Sequence, residues 1–294
     1  MAGLGFGDRK RGSELSKVPA KTLARLKDEV PRYQRVLTDA RSRDINEADT
    51  VVIVMDMLER VFGMDKYADI TREYAIKGTY VDLAVKIEGR LEYLIEVKAI
   101  GLDLRDNHLH QAVTYAAKEG VRWVVLTNGL EWQIHRVFVD QQVTSDEVVS
   151  FNFTDLSMRK ASDIDALFLL CKRGLAKDLM QDFFEKQQAC NKFVIGALLR
   201  SDEVANLLRR TLRKMTPGIQ VSTDEIVEVI SESVLKREII ESEAGLSAEK
   251  AVKRFANRDA RKKAKETHAQ PSAASQPVEE QARTLPSFRP FGPE

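Results

Sequence analysis

Cysteine is nearly missing from this chain of 294 residues, which carries only Cys171 and Cys190. Two widely spaced thiols cannot build a disulfide framework or a CxxC metal knuckle, so both are expected to be buried or bystander thiols. Long apolar runs are missing too: none approaches the ~20 residues that span a bilayer. Met1 to Gly12 is glycine-rich and charged, without the apolar core of a signal peptide. The expectation is a cytoplasmic protein with no membrane partner. Nor is there an excess of charge, because the formal net charge is +1. Any nucleic-acid surface must therefore be local. No GxxxxGK[ST] loop occurs, so P-loop ATPase chemistry is not expected. No repeat is visible, and nothing in the sequence sets an oligomeric state.

What is present is a soluble globular composition, 43% hydrophobic and 31% charged, long enough for one main domain with additions. Residues 1–45 hold eleven Lys or Arg against six Asp or Glu. Ser16 to Thr38 reads as an amphipathic helix interrupted at Pro31, either docked on the core or serving as a basic, DNA-contacting arm. A helix is expected from Glu47 to about Phe62, with Asn46 as its N-cap and Gly63 as its stop. Glu47 falls in its first turn, where the helix dipole alone favours a carboxylate.

The most informative stretch runs from Tyr80 to Lys98. Two alternating segments flank Glu88-Gly89-Arg90, the pattern of a β-hairpin with a three-residue loop. Pairing symmetric about Gly89 sets Asp82 opposite Glu96. It also gives Val81, Leu83, Val85 and Ile87 one face with Leu91, Tyr93, Ile95 and Val97. Opposed carboxylates repel unless a cation sits between them. Lys98 follows two residues after Glu96 on the same strand face. Asp69 to Ala75 reads as a strand leading in, and its Glu73 rivals Asp82 for the outer acidic position.

Beyond Lys98 a helix is expected from Asp103 to Lys118, with Gln111 and Tyr115 one turn apart on one face. A glutamine amide or a tyrosine hydroxyl there can hold a phosphate or a water, or the pair can simply face solvent and pack. His108 and His110 point differently and make a poor zinc site. Trp123 to Leu126 reads as a buried strand, and Asn128-Gly129 as a hairpin turn into Leu130–His135. From Asp163 the pattern is helical, over 163–173, 175–190, 192–199, 202–215 and 223–240. Arg209, Arg210, Arg213 and Lys214 cluster on one of these helices. Residues 249–266 are mainly basic, and 268–294 are rich in Pro, Ser, Gln and Ala.

Asp82 with Glu96-Val97-Lys98 resembles the D…ExK signature of PD-(D/E)xK nucleases. Gln111 to Tyr115 is similar to the family's QxxxY element, Trp123 to Gly129 to the strand and turn that follow it, and Asn46 to Thr50 to its opening helix. Together these resemble the N-terminal domain of type I restriction enzyme R subunits in a short stand-alone form, over roughly Asn46 to Asp155. Val81 stands where the signature has proline.

The resemblance implies an α/β restriction-endonuclease-like αβββαβ core followed by an all-helical subdomain. It divides the chain into a basic N-terminal arm (1–45), a nuclease-like domain (46–155), a helical subdomain (156–241), and a basic segment with a disordered tail (242–294). It implies hydrolysis of DNA phosphodiester bonds in restriction, defence or DNA processing. Asp82, Glu96 and the Val97 carbonyl would bind Mg²⁺, or Mn²⁺ in its place. Lys98 would orient a water, Glu47 would act at or near the ion, and Gln111 and Tyr115 would touch DNA. Partners would be DNA and restriction, defence or repair proteins. The alternative is an inactive nuclease-fold module that binds DNA or recruits a complex.

Overall fold

The computed structural model describes residues 18–76 and 79–268. The glycine-rich start and the tail from 269, where disorder is expected, lie outside the described residues. Two compact units divide at Ala189/Cys190. The division falls after three helices that the sequence reading assigned to a separate helical subdomain.

The first unit opens with α1 (Ala20–Ser42) and α2 (Glu47–Arg60). α1 runs unbroken through Pro31, although proline removes one backbone donor. It buries Leu26, Val30, Tyr33, Leu37 and Ala40 in the main core, so its inner face is a core face and only its outer face is solvated. Asn46 caps α2 as expected, its side chain accepting from the Asp49 N–H at 2.9 Å.

Strands β1 (Ile70–Ile76), β2 (Thr79–Ile87), β3 (Arg90–Val97), β4 (Trp123–Thr127), β5 (Glu131–Val139) and β6 (Val143–Asn152) form one sheet in that order. Helix α3 (Asp106–Glu119) is the crossover between β3 and β4, the only parallel neighbours among these strands. Element order and sheet make this a mixed α/β protein consistent with the restriction-endonuclease-like fold.

The hairpin differs from its expected form in one respect that matters. Its loop has two residues, Glu88 and Gly89, both with positive φ, and Ile87 pairs with Arg90. That is the backbone a tight two-residue hairpin turn requires. A bulge then inserts Glu92, so Lys86 pairs with Leu91 while Val85 pairs with Tyr93. Past the bulge the register equals the one symmetric about Gly89, with Leu83 opposite Ile95.

Leu83, Val85, Ile87, Tyr93, Ile95 and Val97 share the larger core with α1 and α2. Leu91 packs instead on the opposite face with α3, because the extra residue reverses its side, and Val81 of β2 packs there as well.

Helices α4 (Ala161–Leu170), α5 (Lys172–Leu175) and α6 (Leu179–Ala189) complete the first unit. Ala166 to Leu170 are all buried in the main core, and Cys171 beside them is buried as well. The second unit comprises α7 (Lys192–Leu199), α8 (Asp202–Met215), α9 (Thr223–Val229), a π-helical turn (Ile230–Val234), α10 (Arg237–Glu241) and α11 (Glu243–His268). Its core is small, built on Ala205, Ile226 and Ile230. No helix among the described residues is long and apolar enough to cross a membrane.

Candidate active site

The C-terminal end of β3 gathers the acidic and basic side chains. Where ladder pairing between β2 and β3 stops, the Asp82 carboxylate takes over: its Oδ2 accepts from the Val97 N–H at 2.7 Å. Glu96 is buried, and by alternation it shares the face of β3 on which Leu94 packs in the α3 cluster. Lys98 Nζ lies 2.7 Å from Glu96 Oε1 and 3.6 Å from Glu47 Oε2, so one ammonium bridges β3 and the start of α2. The spacing of two along an extended strand is what brings Lys98 back onto the Glu96 side chain.

Three contacts fix the segment after Lys98. The Ile100 N–H donates to Thr50 Oγ1 at 3.2 Å, while that hydroxyl donates to the Asn46 carbonyl at 2.8 Å. Arg41 donates to the Ile100 carbonyl, and the Asn128 amide donates to the Leu102 carbonyl, each at 2.9 Å. Thr50 therefore ties the first turn of α2, and with it Glu47, to the end of β3. A hydroxyl inside the apolar stripe of α2 was the sequence signal for this role, and it went unused.

The electrostatics follow from crowding. Burial pushes the Glu96 carboxyl above its usual range; the Lys98 hydrogen bond opposes this, and the charges of Asp82 and Glu47 add to it. For Lys98 burial opposes the charge, but the Glu96 hydrogen bond and the surrounding carboxylates outweigh it, so the ammonium is held more firmly than usual.

Beside this group runs a cleft lined by Glu47, Ala48, Val51, Arg72, Glu73 and Asp82. Glu73 adopts φ of 46°, uncommon for a residue with a side chain. The β1–β2 ladder is interrupted there, between the pairs Arg72–Leu83 and Tyr74–Val81. Glu73 and Asp82, rivals for the outer acidic position in sequence, both line this cleft. Arg72 is a further cleft residue that no sequence pattern marked.

Gln111 and Tyr115 sit apart from the acidic group in bonding terms. Gln111 is exposed on α3 and makes no hydrogen bond to it among the described residues. Tyr115 is buried in the α3 core cluster, with Lys118 Nζ 5.6 Å from its ring centroid. Val97 buries its side chain in the main core, and its N–H is taken by Asp82.

Asp82, Glu96 and Glu47 are oxygen donors of the kind a hard divalent ion takes, and a cation would relieve the like-charge crowding that raises Glu96. In donor chemistry the residues fit Mg²⁺. They are not drawn into a ready-made cage: among the described residues no group of three His, Cys, Asp or Glu side chains is placed to hold a metal. Lys98 and the Val97 N–H currently occupy one oxygen of Glu96 and one of Asp82.

Residues 64–150 match the family model of the type I restriction enzyme R protein N terminus (HSDR_N). The match spans β1 through most of β6, and the PD-(D/E)xK superfamily is consistent with it. It includes Asp82, Glu96, Val97, Lys98, Gln111 and Tyr115, whereas Glu47 lies upstream of it. No curated protein and no solved structure matches the chain.

Proposed function

We propose that this protein is a divalent-metal-dependent deoxyribonuclease, with Asp82, Glu96 and Lys98 as its central residues. The observation that carries the reading is the Glu47–Lys98–Glu96 chain of ion pairs beside the Asp82 carboxylate, within a segment matching a restriction-enzyme domain. Asp82 and Glu96, with the Val97 carbonyl, would hold Mg²⁺ or Mn²⁺. Such an ion, when bound, polarises a phosphate and acidifies a coordinated water.

The chain's own groups do the rest. Glu96, being buried, gives up its proton less readily than an ordinary glutamate, and Lys98 pairs with its carboxylate at 2.7 Å. The Lys98 ammonium would orient a water and face the negative charge that builds on the phosphate oxygens. Glu47 draws Lys98 toward α2 and fixes its direction. Gln111, exposed on α3, would meet a DNA phosphate or a water, and the buried Tyr115 would support the helix that presents it.

A second reading is favoured by a specific observation: the acidic groups are not pre-assembled as a metal cage among the described residues. In that reading the protein keeps the nuclease fold and binds DNA or a restriction, defence or repair complex without turnover.

A panel of single- and double-stranded DNA and RNA, incubated with Mg²⁺ or Mn²⁺ beside Glu96→Ala, separates the two. Divalent-dependent DNA cleavage that the variant lacks supports the enzyme. DNA binding with no cleavage under either ion supports the inactive module.

A further inference from the structure

The net charge of +1 hides a strong asymmetry. From Lys250 to Lys265 the sequence carries eight Lys or Arg and one acidic residue, a local charge of +7 that leaves −6 for the rest of the chain. All of these residues lie on one continuous helix, α11.

The helix is anchored at its start, where Ala248 is buried and Glu249 pairs with Arg200 at 2.7 Å. Farther along, Lys253, Arg254, Phe255, Ala256, Asn257 and Arg258 are exposed one after another. Six consecutive residues span more than one and a half turns, so solvent reaches this part of the helix from every side.

Lys250, Arg254, Arg258 and Arg261 recur at spacings of four, four and three, which places them on one ridge. Like charges at that spacing repel and weaken an isolated helix. Lys253 is neutralised by Glu249 at 2.8 Å, whereas no ion pair to Arg254, Arg258 or Arg261 is found among the described residues. A ridge that holds the exposed guanidinium groups of Arg254, Arg258 and Arg261 in a row is matched to a polyanion. Lys250 to Lys265 covers about 22 Å at 1.5 Å per residue, a length over which duplex DNA presents roughly 13 phosphates.

We propose that α11 is a sequence-independent binding site for the phosphate backbone of duplex DNA, separate from the acidic cleft. The site does not rest on the hydrolytic reading, because its chemistry is charge pairing alone. Phosphates replace the missing counter-charges along the ridge, and binding releases the ions condensed on the duplex, which makes affinity fall steeply with salt.

The test uses the full chain in EDTA, so that no cleavage intervenes, with a fluorescein-labelled 30-base-pair duplex followed by anisotropy from low to moderate KCl. Replacing Arg254, Arg258 and Arg261 together by Gln is expected to lower the slope of log affinity against log salt by about 2 to 3 and to weaken binding at least tenfold. The same three positions changed to Lys should keep most of the slope, which separates lost charge from lost folding. An unchanged slope and affinity in the Gln variant would overturn the site. So would tighter capture of the wild type by phosphatidylserine vesicles than by the duplex at equal salt.

Discussion

The carboxylate of Asp82 accepts a hydrogen bond from the backbone N–H of Val97 at 2.7 Å, so one side chain both closes the end of the β2–β3 ladder and faces the cleft that holds Glu47 and Glu73. These two duties can be separated by substitution. Asp82→Asn keeps an oxygen acceptor for Val97 and removes the charge. It should melt within a few degrees of the wild type while abolishing divalent-dependent cleavage. Asp82→Ala leaves the Val97 N–H without its partner, at a cost of about 1 to 3 kcal/mol. Thermal melts of the two variants side by side check the split; equal destabilisation would mean the hydrogen bond is not a structural support.

Thr50 is the tie between α2 and the end of β3. Thr50→Val keeps the shape but leaves the buried Ile100 N–H unpaired, so stability should fall by about 1 to 3 kcal/mol. Because Glu47 rides on the same turn, cleavage should fall as well at temperatures where the variant is still folded. Denaturant unfolding combined with a rate assay checks both effects. Full activity in a destabilised variant would show that the position of Glu47 does not matter.

His135 lies buried on β5, and burial depresses its pKa below the ordinary 6.5, against smaller opposing effects of Glu147 and Asp106. The unfolded chain therefore binds a proton more readily than the folded one. Stability should be full above the unfolded value and should decline as pH falls through 6.5 toward the depressed folded value. Melting temperatures measured from pH 8 to pH 5 should drop more for the wild type than for His135→Gln. Parallel curves would mean that the histidine takes up its proton without cost in the folded state.

How much of this was legible in sequence depends on whether the signal was local. Period-two alternation and Gly89 gave the hairpin, and Asn46 gave the start of α2, because each acts over a few residues. The two-residue turn and the Glu92 bulge shift the register once each in opposite senses. At Leu83 and Ile95 the pairing therefore agrees with symmetry about Gly89 although the turn does not, and Asp82 lies one residue past the last pair. Strand β6 escaped notice: Thr144 to Glu147 is polar, and the strand lies at the edge of the sheet, so little of it is buried. The apolar run Ala166–Leu170 read as an ordinary helix. That it belongs to the first unit's core depends on contacts with elements over a hundred residues away, which periodicity does not encode. The approach of Lys98 to Glu96 follows from their spacing of two, whereas Arg72 and Thr50 enter only through tertiary geometry.

The most direct measurement is the single-turnover cleavage rate of a DNA duplex in Mg²⁺ by Lys98→Ala, with DNA affinity measured in parallel. The account predicts a rate at least a hundredfold below wild type, in line with the loss of one group that stabilises developing charge, and affinity within about threefold, since the phosphate-binding ridge is untouched. A variant that cuts as fast as the wild type would contradict the assignment of this ammonium and its carboxylate neighbours as the reacting centre.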